Sequence, residues 1–386
     1  MSNEMMNDDV LVSVEDLRIK FDVRDGIVTA VDGFSVDIRR GKTIGIIGES
    51  GCGKSMTAKA IMNMIPKPGV MTDGKITYYR RSGENGGLLT EEIRIDQLDP
   101  DGDEIRKIRG GHITMIFQEP MSSLTPVYTA GFHIMEAVNL HRFLPVETIG
   151  ETMTANIQKK RDVTREEARE IAVEMLRRVG LPKPEERVNA YPHQLSGGQR
   201  QRVMIAVALS THPDLLIADE PTTALDVSIE AQILDLMREL QDTVDMGILF
   251  ITHNLGVVAE MAETIVVMYM GKEVEKAPTV ELFKDPKHPY TRLLLASIPT
   301  VGKKSKAALA TIKGSVPSPF DLPSGCVFHP RCPDFMPGKC DVITPEQAEV
   351  SPGRYARCLL YDESWPDTPQ AQSLKSTPTT ANVTGG

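Results

Sequence analysis

GESGCGKS, residues 48–55, is the stretch around which the rest of the chain is organised. It fits the pattern G-x-x-x-x-G-K-[ST], in which main-chain N–H groups cradle phosphates and a lysine reaches the terminal ones. Gly48, Gly51 and Gly53 let the chain curl with its amides inward around Glu49, Ser50 and Cys52. Lys54 supplies a point charge, and Ser55 offers a hydroxyl suited to Mg²⁺. The flanks agree. Residues 42–47 (KTIGII) read as a buried strand running into the loop, and residues 55–64 (SMTAKAIMNM) as a helix leaving it. Strand, glycine loop and helix in that order set a helix N-terminus against a phosphate.

The composition is that of an ordinary soluble protein. At 386 residues the length suggests two or three domains, and 41% hydrophobic with 25% charged residues is ordinary for a folded core. The longest apolar runs, such as residues 264–270, fall far short of the ~20 residues a spanning helix needs. The first ten residues, MSNEMMNDDV, are polar and acidic, so neither a signal peptide nor a membrane span is expected. A net charge of −10 argues against a nucleic-acid surface as the main business of the chain. Five cysteines, four of them after residue 325, do not make a secreted disulfide scaffold at this length. Intracellular thiols or metal ligands are the expectation.

Along the chain, residues 1–10 are expected to be flexible and residues 11–285 to form one nucleotide-binding domain. Residues 11–21 and 27–38 alternate apolar and polar side chains, as antiparallel strands do, and Phe21 falls where such a sheet could present an aromatic face to an adenine ring or simply pack within the sheet. Residues 80–110, rich in Gly, Asp and Glu, read as an exposed excursion before a strand at 112–118. A helical block follows, about 119–194, where Ala168, Ile171, Ala172, Met175 and Val179 share one helix face. LSGGQ, residues 195–199, opens a helix through Ser210; LLIA, 215–218, makes an apolar strand ending in Asp219 and Glu220; a helix at 229–240 and a strand at 247–252 add a further βα unit. Beyond residue 285 the texture turns to Pro, Gly and Cys, which predicts an appended small module over 286–361. The polar tail 362–386 is expected to be disordered.

A strand-end carboxylate pair beside a phosphate loop is what ATP hydrolysis requires. Asp219 suits the Mg²⁺ shell and Glu220 the orientation or deprotonation of water. His253, at another strand's carboxyl end, suits a hydrogen bond to Glu220 and the γ-phosphate. Ser196 and the amides of Gly197 and Gly198 lie at a helix N-terminus, a second anion site in a chain with one nucleotide loop. The economical arrangement is reciprocal, each chain's LSGGQ covering the γ-phosphate held by another.

Residues 48–55, Gln118, 195–199, 216–220, Ala224, Leu225, Asp226 and His253 occur in the order of an ABC-transporter ATPase, and the chain resembles that family over residues 11–280. The resemblance implies an α/β fold, a RecA-like core with an antiparallel β subdomain and an inserted helical subdomain. It also implies roles: Phe21 as the adenine-stacking residue, Gln118 as the Mg²⁺-contacting switch glutamine, and Ser196, Gly197, Gly198 and Gln199 as the signature. Asp226 corresponds to the dimer-contact aspartate and His253 to the switch histidine. Met56 departs from the commoner Ser or Thr, leaving its backbone N–H to serve a phosphate beside Thr57. QEPMSSLTP (118–126) and KHPYTRLLLASIP (287–299) look like the ATP-binding subunit of a dipeptide or oligopeptide permease. Such a subunit pairs with a second ATPase, often a paralogue, and docks on two transmembrane permease subunits served by an extracytoplasmic peptide-binding protein. It works at the cytoplasmic face of the membrane, with no nucleic-acid partner. The segment 141–164 looks longer than that family usually has.

Cys326, Cys332, Cys340 and Cys358 have no C-x₂-C pair, so spacing leaves a zinc site, an iron–sulfur cluster and free thiols open. GCVFHPRCPDFMPGKC resembles the C-terminal module of peptide-permease ATPases, some of which carry a [4Fe-4S] cluster; zinc with His329 as substitute ligand is the alternative. The residues of ATP chemistry lie elsewhere, so loss of this module is expected to leave ATP affinity nearly unchanged. Rival functions are a soluble ABC ATPase acting on nucleic acid, against which one cassette and an acidic balance count, and an ATPase of iron–sulfur assembly, which would not need the permease-like stretches.

Overall fold

The structure is a computed structural model that describes residues 9–84, 87–118, 124–141, 163–223, 225–297, 312 and 314–361. Most of the expected flexible N-terminus, the long segment after residue 141 and the expected disordered tail lie outside the described residues. Two sheets organise the rest. The first takes β1 (Val10–Val23), β2 (Gly26–Arg39), β4 (Gly69–Glu84) and β5 (Gly87–Arg94) in the antiparallel order β2-β1-β4-β5. The second runs β11-β12-β10-β9-β3-β8-β7-β6. Its strands are β3 (Thr43–Ile47), β6 (Ile113–Ile116), β7 (Leu215–Asp219), β8 (Gly247–Ile251), β9 (Thr264–Tyr269), β10 (Lys272–Pro278), β11 (Ala348–Ser351) and β12 (Arg354–Ala356).

β3, β6, β7, β8 and β9 pair in parallel. The continuous apolar runs of β3, β6, β7 and β8 follow from burial of every residue, since parallel strands are covered on both faces. Alternation then sorts side chains between two cores. Leu215 and Ile217 of β7 join α1 (Lys54–Ile61) and the antiparallel sheet, whereas Leu216 and Ala218 join the helical side.

The excursion expected over residues 80–110 is instead structured. β4 and β5 form a hairpin through it, and α2 (Asp103–Ile108) follows, with Ile93, Ile95, Ile105 and Ile108 buried. Four isoleucines at irregular spacing supply the apolar anchors, so neither a helical nor a strand period stands out from the acidic background. The helix after the loop is also shorter than its sequence suggests: α1 stops at Ile61, and Asn63, at φ 50°, donates its amide to the Ile95 and Leu98 carbonyls at 3.2 and 3.0 Å.

The helical side consists of α3 (Ala130–His141), α4 (Arg165–Arg178), the short α5 (Pro184–Arg187), α6 (Gly197–Leu209) and α7 (Val227–Val244). Thr164 caps α4 in a reciprocal box with Glu167, and Ala168, Ala172, Met175 and Leu176 form its buried stripe. α8 (Leu255–Met261), α9 (Thr279–Lys284) and α10 (Pro289–Ala296) complete the described helices. The residues after 285 do more than append a module: β12 pairs with β10, Glu275 opposite Ala356, so the C-terminal strands extend the main sheet.

Candidate nucleotide site

Register places the functional strand ends side by side. Ile46 pairs with Ile251, and Ile251 with Asp219. With neighbouring strands ~4.8 Å apart, the Asp219 main chain lies about 10 Å from the strand that enters the loop. The crevice at the carboxyl ends of parallel strands is where such sheets bind ligands.

The loop itself can be built only with glycine at two of its turns. Gly48 has φ 153°, and a Cβ there would come within 2.2 Å of the Met268 carbonyl oxygen; Gly53 has φ 106°, with the Ala30 carbonyl oxygen 2.4 Å away. Lys54 is buried inside the curl, its Nζ donating to the carbonyls of Gly48 at 2.8 Å and Glu49 at 3.0 Å. Ser50 and Gly51 form the exposed tip. Cys52 is buried, its thiol pushed up by desolvation, and its carbonyl accepts from the Gly271 N–H at 3.0 Å. Thr57 was expected among the phosphate-binding residues. It is fully buried and its hydroxyl donates to the Gly53 carbonyl at 3.2 Å, so its side chain braces the loop from behind. The Met56 N–H likewise donates to Gly53, at 3.1 Å, closing the first turn of α1.

Asp219 is 2% exposed at the end of β7. Burial pushes its carboxyl upward, and a hydrogen bond from the Ser55 hydroxyl opposes that shift, with Lys54 adding to the opposition. Two oxygen donors of the Mg²⁺-binding type therefore meet here. Next to them Glu220 takes a left-handed backbone, φ 50°, uncommon outside glycine. Its N–H donates to the Ile251 carbonyl at 2.8 Å, Thr223 Oγ1 donates to its Oε2 at 3.2 Å, and His253 Nδ1 lies 3.1 Å from Oε1. The His253 side chain is otherwise open, 64% exposed.

Gln118 follows β6 and is exposed. Phe21 is half-buried on β1, opposite Val28 and Gly69, where a Cβ on Gly69 would meet its ring at 2.5 Å. Ser196 caps α6: its hydroxyl accepts from the Gln199 N–H at 3.3 Å, and Gln199 Oε1 accepts from the Ser196 N–H at 3.2 Å. Gly197 faces open space. Asp226 caps α7, accepting from the Ile229 N–H at 3.1 Å and the Ser228 hydroxyl at 2.9 Å.

Two residues absent from the sequence reading also reach the loop. The Tyr290 hydroxyl accepts from the Glu49 N–H at 2.9 Å, and Arg331 grips the Glu49 carboxylate through Nη1 at 2.6 Å and Nη2 at 3.0 Å. They lie 241 and 282 residues from Glu49, so no local signal could have found them.

The late cysteines converge. Cys326, Cys332, Cys340 and Cys358 line one cavity with His288, His329 and Asp334. Burial raises all four thiols, Cys332 to about 12, and their neighbours' charges add to the shift. Among the described residues no three His, Cys, Asp or Glu side chains are grouped to hold a single metal ion. That arrangement lends no support to a zinc site or to a cluster; His329 Nδ1 lies 3.0 Å from the Cys326 carbonyl.

The fold and site define an ATPase cassette of the ABC type. The family described as "ABC transporter" matches residues 31–223, and "Oligopeptide/dipeptide transporter, C-terminal region" matches residues 274–340. The oligopeptide transport ATP-binding protein AppD of Bacillus subtilis is 45% identical over 92% of this chain and 97% of its own length. The dipeptide transport ATP-binding protein DppD of Haemophilus influenzae is 41% identical over 90% and 94%. Among solved structures, the dimeric bacterial ABC transporter cassette MJ0796 superposes with a TM-score of 0.56 at 26% identity, covering 70% of this chain and 99% of that one. The chain belongs to the ATP-binding subunits of oligopeptide and dipeptide ABC transporters. Its cassette is an ATP hydrolase, and these relatives lend no support to a nucleic-acid or iron–sulfur-assembly function.

Proposed function

We propose that this chain hydrolyses ATP to drive import of di- or oligopeptides, working at the cytoplasmic face of the membrane. The observation that carries the reading is the convergence of the Lys54 loop, the Ser55–Asp219 pair and the Glu220–His253 pair at the carboxyl ends of neighbouring parallel strands. ATP phosphates fit the curl of residues 48–55, where Lys54 exchanges the loop carbonyls for phosphate oxygens. Ser55, Asp219 and Gln118 would hold Mg²⁺, which neutralises charge developing on the γ-phosphate. Glu220 orients the attacking water and draws its proton, while His253 holds Glu220 from one side and offers its exposed edge to the γ-phosphate. Phe21 supplies the adenine face.

The loop is half of a site. Ser196, Gly197, Gly198 and Gln199 present an open helix end to a second ATPase, a copy or a paralogue, and Asp226 lies at that interface. The membrane partners are two permease subunits, fed by an extracytoplasmic peptide-binding protein. Tyr128 and Phe132, 44% and 38% exposed with rings stacked at 4.1 Å, suit such a contact on the helical side. None of the described helices is long and apolar enough to cross a membrane. Reconstitution with the permease and binding protein tests the reading: peptide should stimulate ATP turnover, and a rate indifferent to both peptide and membrane subunits would contradict it.

For the cysteines we infer a [4Fe-4S] cluster that staples the C-terminal residues. A single tetrahedral Zn²⁺ needs sulfurs ~2.3 Å from the metal, hence about 3.8 Å apart, whereas a cluster accepts four thiolates around a wider cage. Four thiols around one cavity, two of them buried and three of them raised further by neighbouring cysteines, suit a cationic group that offsets the charge of their thiolates. Anaerobic protein should then contain about four irons per chain and absorb near ~400 nm. Stoichiometric zinc without iron, or no metal, would overturn the assignment.

A further inference from the structure

We propose that Arg331 and Tyr290 are positioning residues of the nucleotide site, which hold Glu49 so that the phosphate loop accepts a triphosphate instead of opposing it. Glu49 is the second residue of the loop and brings a carboxylate to a place that must receive a polyanion. Every polar group of Glu49 is engaged. Its N–H goes to the Tyr290 hydroxyl, its carbonyl to Lys54 Nζ at 3.0 Å, and its carboxylate to both terminal nitrogens of Arg331. The pair is sheltered, with side-chain exposures of 4% for Arg331 and 25% for Glu49. A bidentate guanidinium fixes both the charge and the plane of the carboxylate.

The support behind these two residues is rigid. Arg331 Nη1 also donates to the Tyr269 hydroxyl at 3.3 Å, and the guanidinium lies 5.8 Å from that ring's centroid. Tyr269, Tyr290 and Phe328 pack with centroids 4.8 to 5.4 Å apart. Arg331 ends the short turn His329–Arg331, immediately before Cys332, and its N–H donates to the Phe328 carbonyl at 3.0 Å. The cysteine-lined segment is thus wired to the phosphate loop through one side chain. The geometry makes the C-terminal residues a contributor to ATP binding, a role that neither the loop motif nor the strand-end carboxylates express.

The inference rests on the reading that residues 48–55 hold the phosphates. A fluorescent ATP analogue titrated against the assembled transporter, together with KM and kcat for ATP, tests both. Arg331→Met should raise Kd and KM about tenfold by leaving the Glu49 charge uncompensated, with kcat within about twofold of the parent. Adding Glu49→Gln to Arg331→Met should bring Kd back to within about threefold of the parent, because the offending charge is gone. Arg331→Lys should fall between, keeping the charge and losing the fork. Unchanged Kd in Arg331→Met, or no recovery in the double variant, overturns the proposal. Lys54→Ala separates the two claims: undiminished binding there would remove the phosphate-loop reading itself, whatever Arg331 does.

Discussion

Thr57 and Lys54 stand one turn apart and do different work. The Thr57 hydroxyl faces the Gly53 carbonyl inside the protein, whereas Lys54 Nζ lies in the curl of the loop. Thr57→Val should therefore cost about 1 kcal/mol of stability through the lost hydrogen bond and leave the KM for ATP nearly unchanged. Lys54→Ala should weaken nucleotide binding by about tenfold or more. Thermal melts and nucleotide titration of the two variants read this directly; a large KM effect in Thr57→Val would return its hydroxyl to the phosphates. Much of this scale was legible in the sequence. The loop, Asp219-Glu220 and His253 each announce themselves within a few residues, because turn, strand end and side-chain chemistry are local. Arg331 and Tyr290 were not legible, since their role exists only once residues 241 and 282 positions distant are folded against Glu49.

At the scale of elements, the helix α6 carries a prediction about assembly. Its capping box keeps Ser196 and Gln199 occupied with each other, while Gly197 faces open space. Ser196→Arg should fill that space and damage hydrolysis at the site formed by the partner's loop, leaving nucleotide binding by its own loop intact. Mixed assemblies carrying one variant chain show which site fails; full activity of a dilute monomer, indifferent to Ser196→Arg, would end the shared-site account. The strands around this helix were readable because parallel strands covered on both faces become unbroken apolar runs. The hairpin and α2 within residues 80–110 were not, because their few isoleucines serve two different element types in succession and no single period survives.

The whole molecule joins its parts more closely than composition suggests. The Pro-, Gly- and Cys-rich end extends the main sheet through β12 and touches the loop through Arg331. Independence of the cysteine module from ATP binding, expected from the sequence, and the coupling proposed through Arg331 make opposite predictions. If the proposed cluster is present and the coupling holds, Cys340→Ser should release its colour and also weaken nucleotide binding by several-fold, measured as Kd on the assembled transporter. Loss of colour with an unchanged Kd would confine the cysteines to a local structural role. The central claim is that Glu220 of this chain drives the hydrolysis that powers import. The most direct measurement is ATP turnover and peptide uptake by Glu220→Gln transporter in proteoliposomes. The account predicts intact ATP binding, turnover at this chain's site reduced by about 10²–10⁴-fold, and uptake lost with it. Turnover and uptake at the parental rate would contradict it.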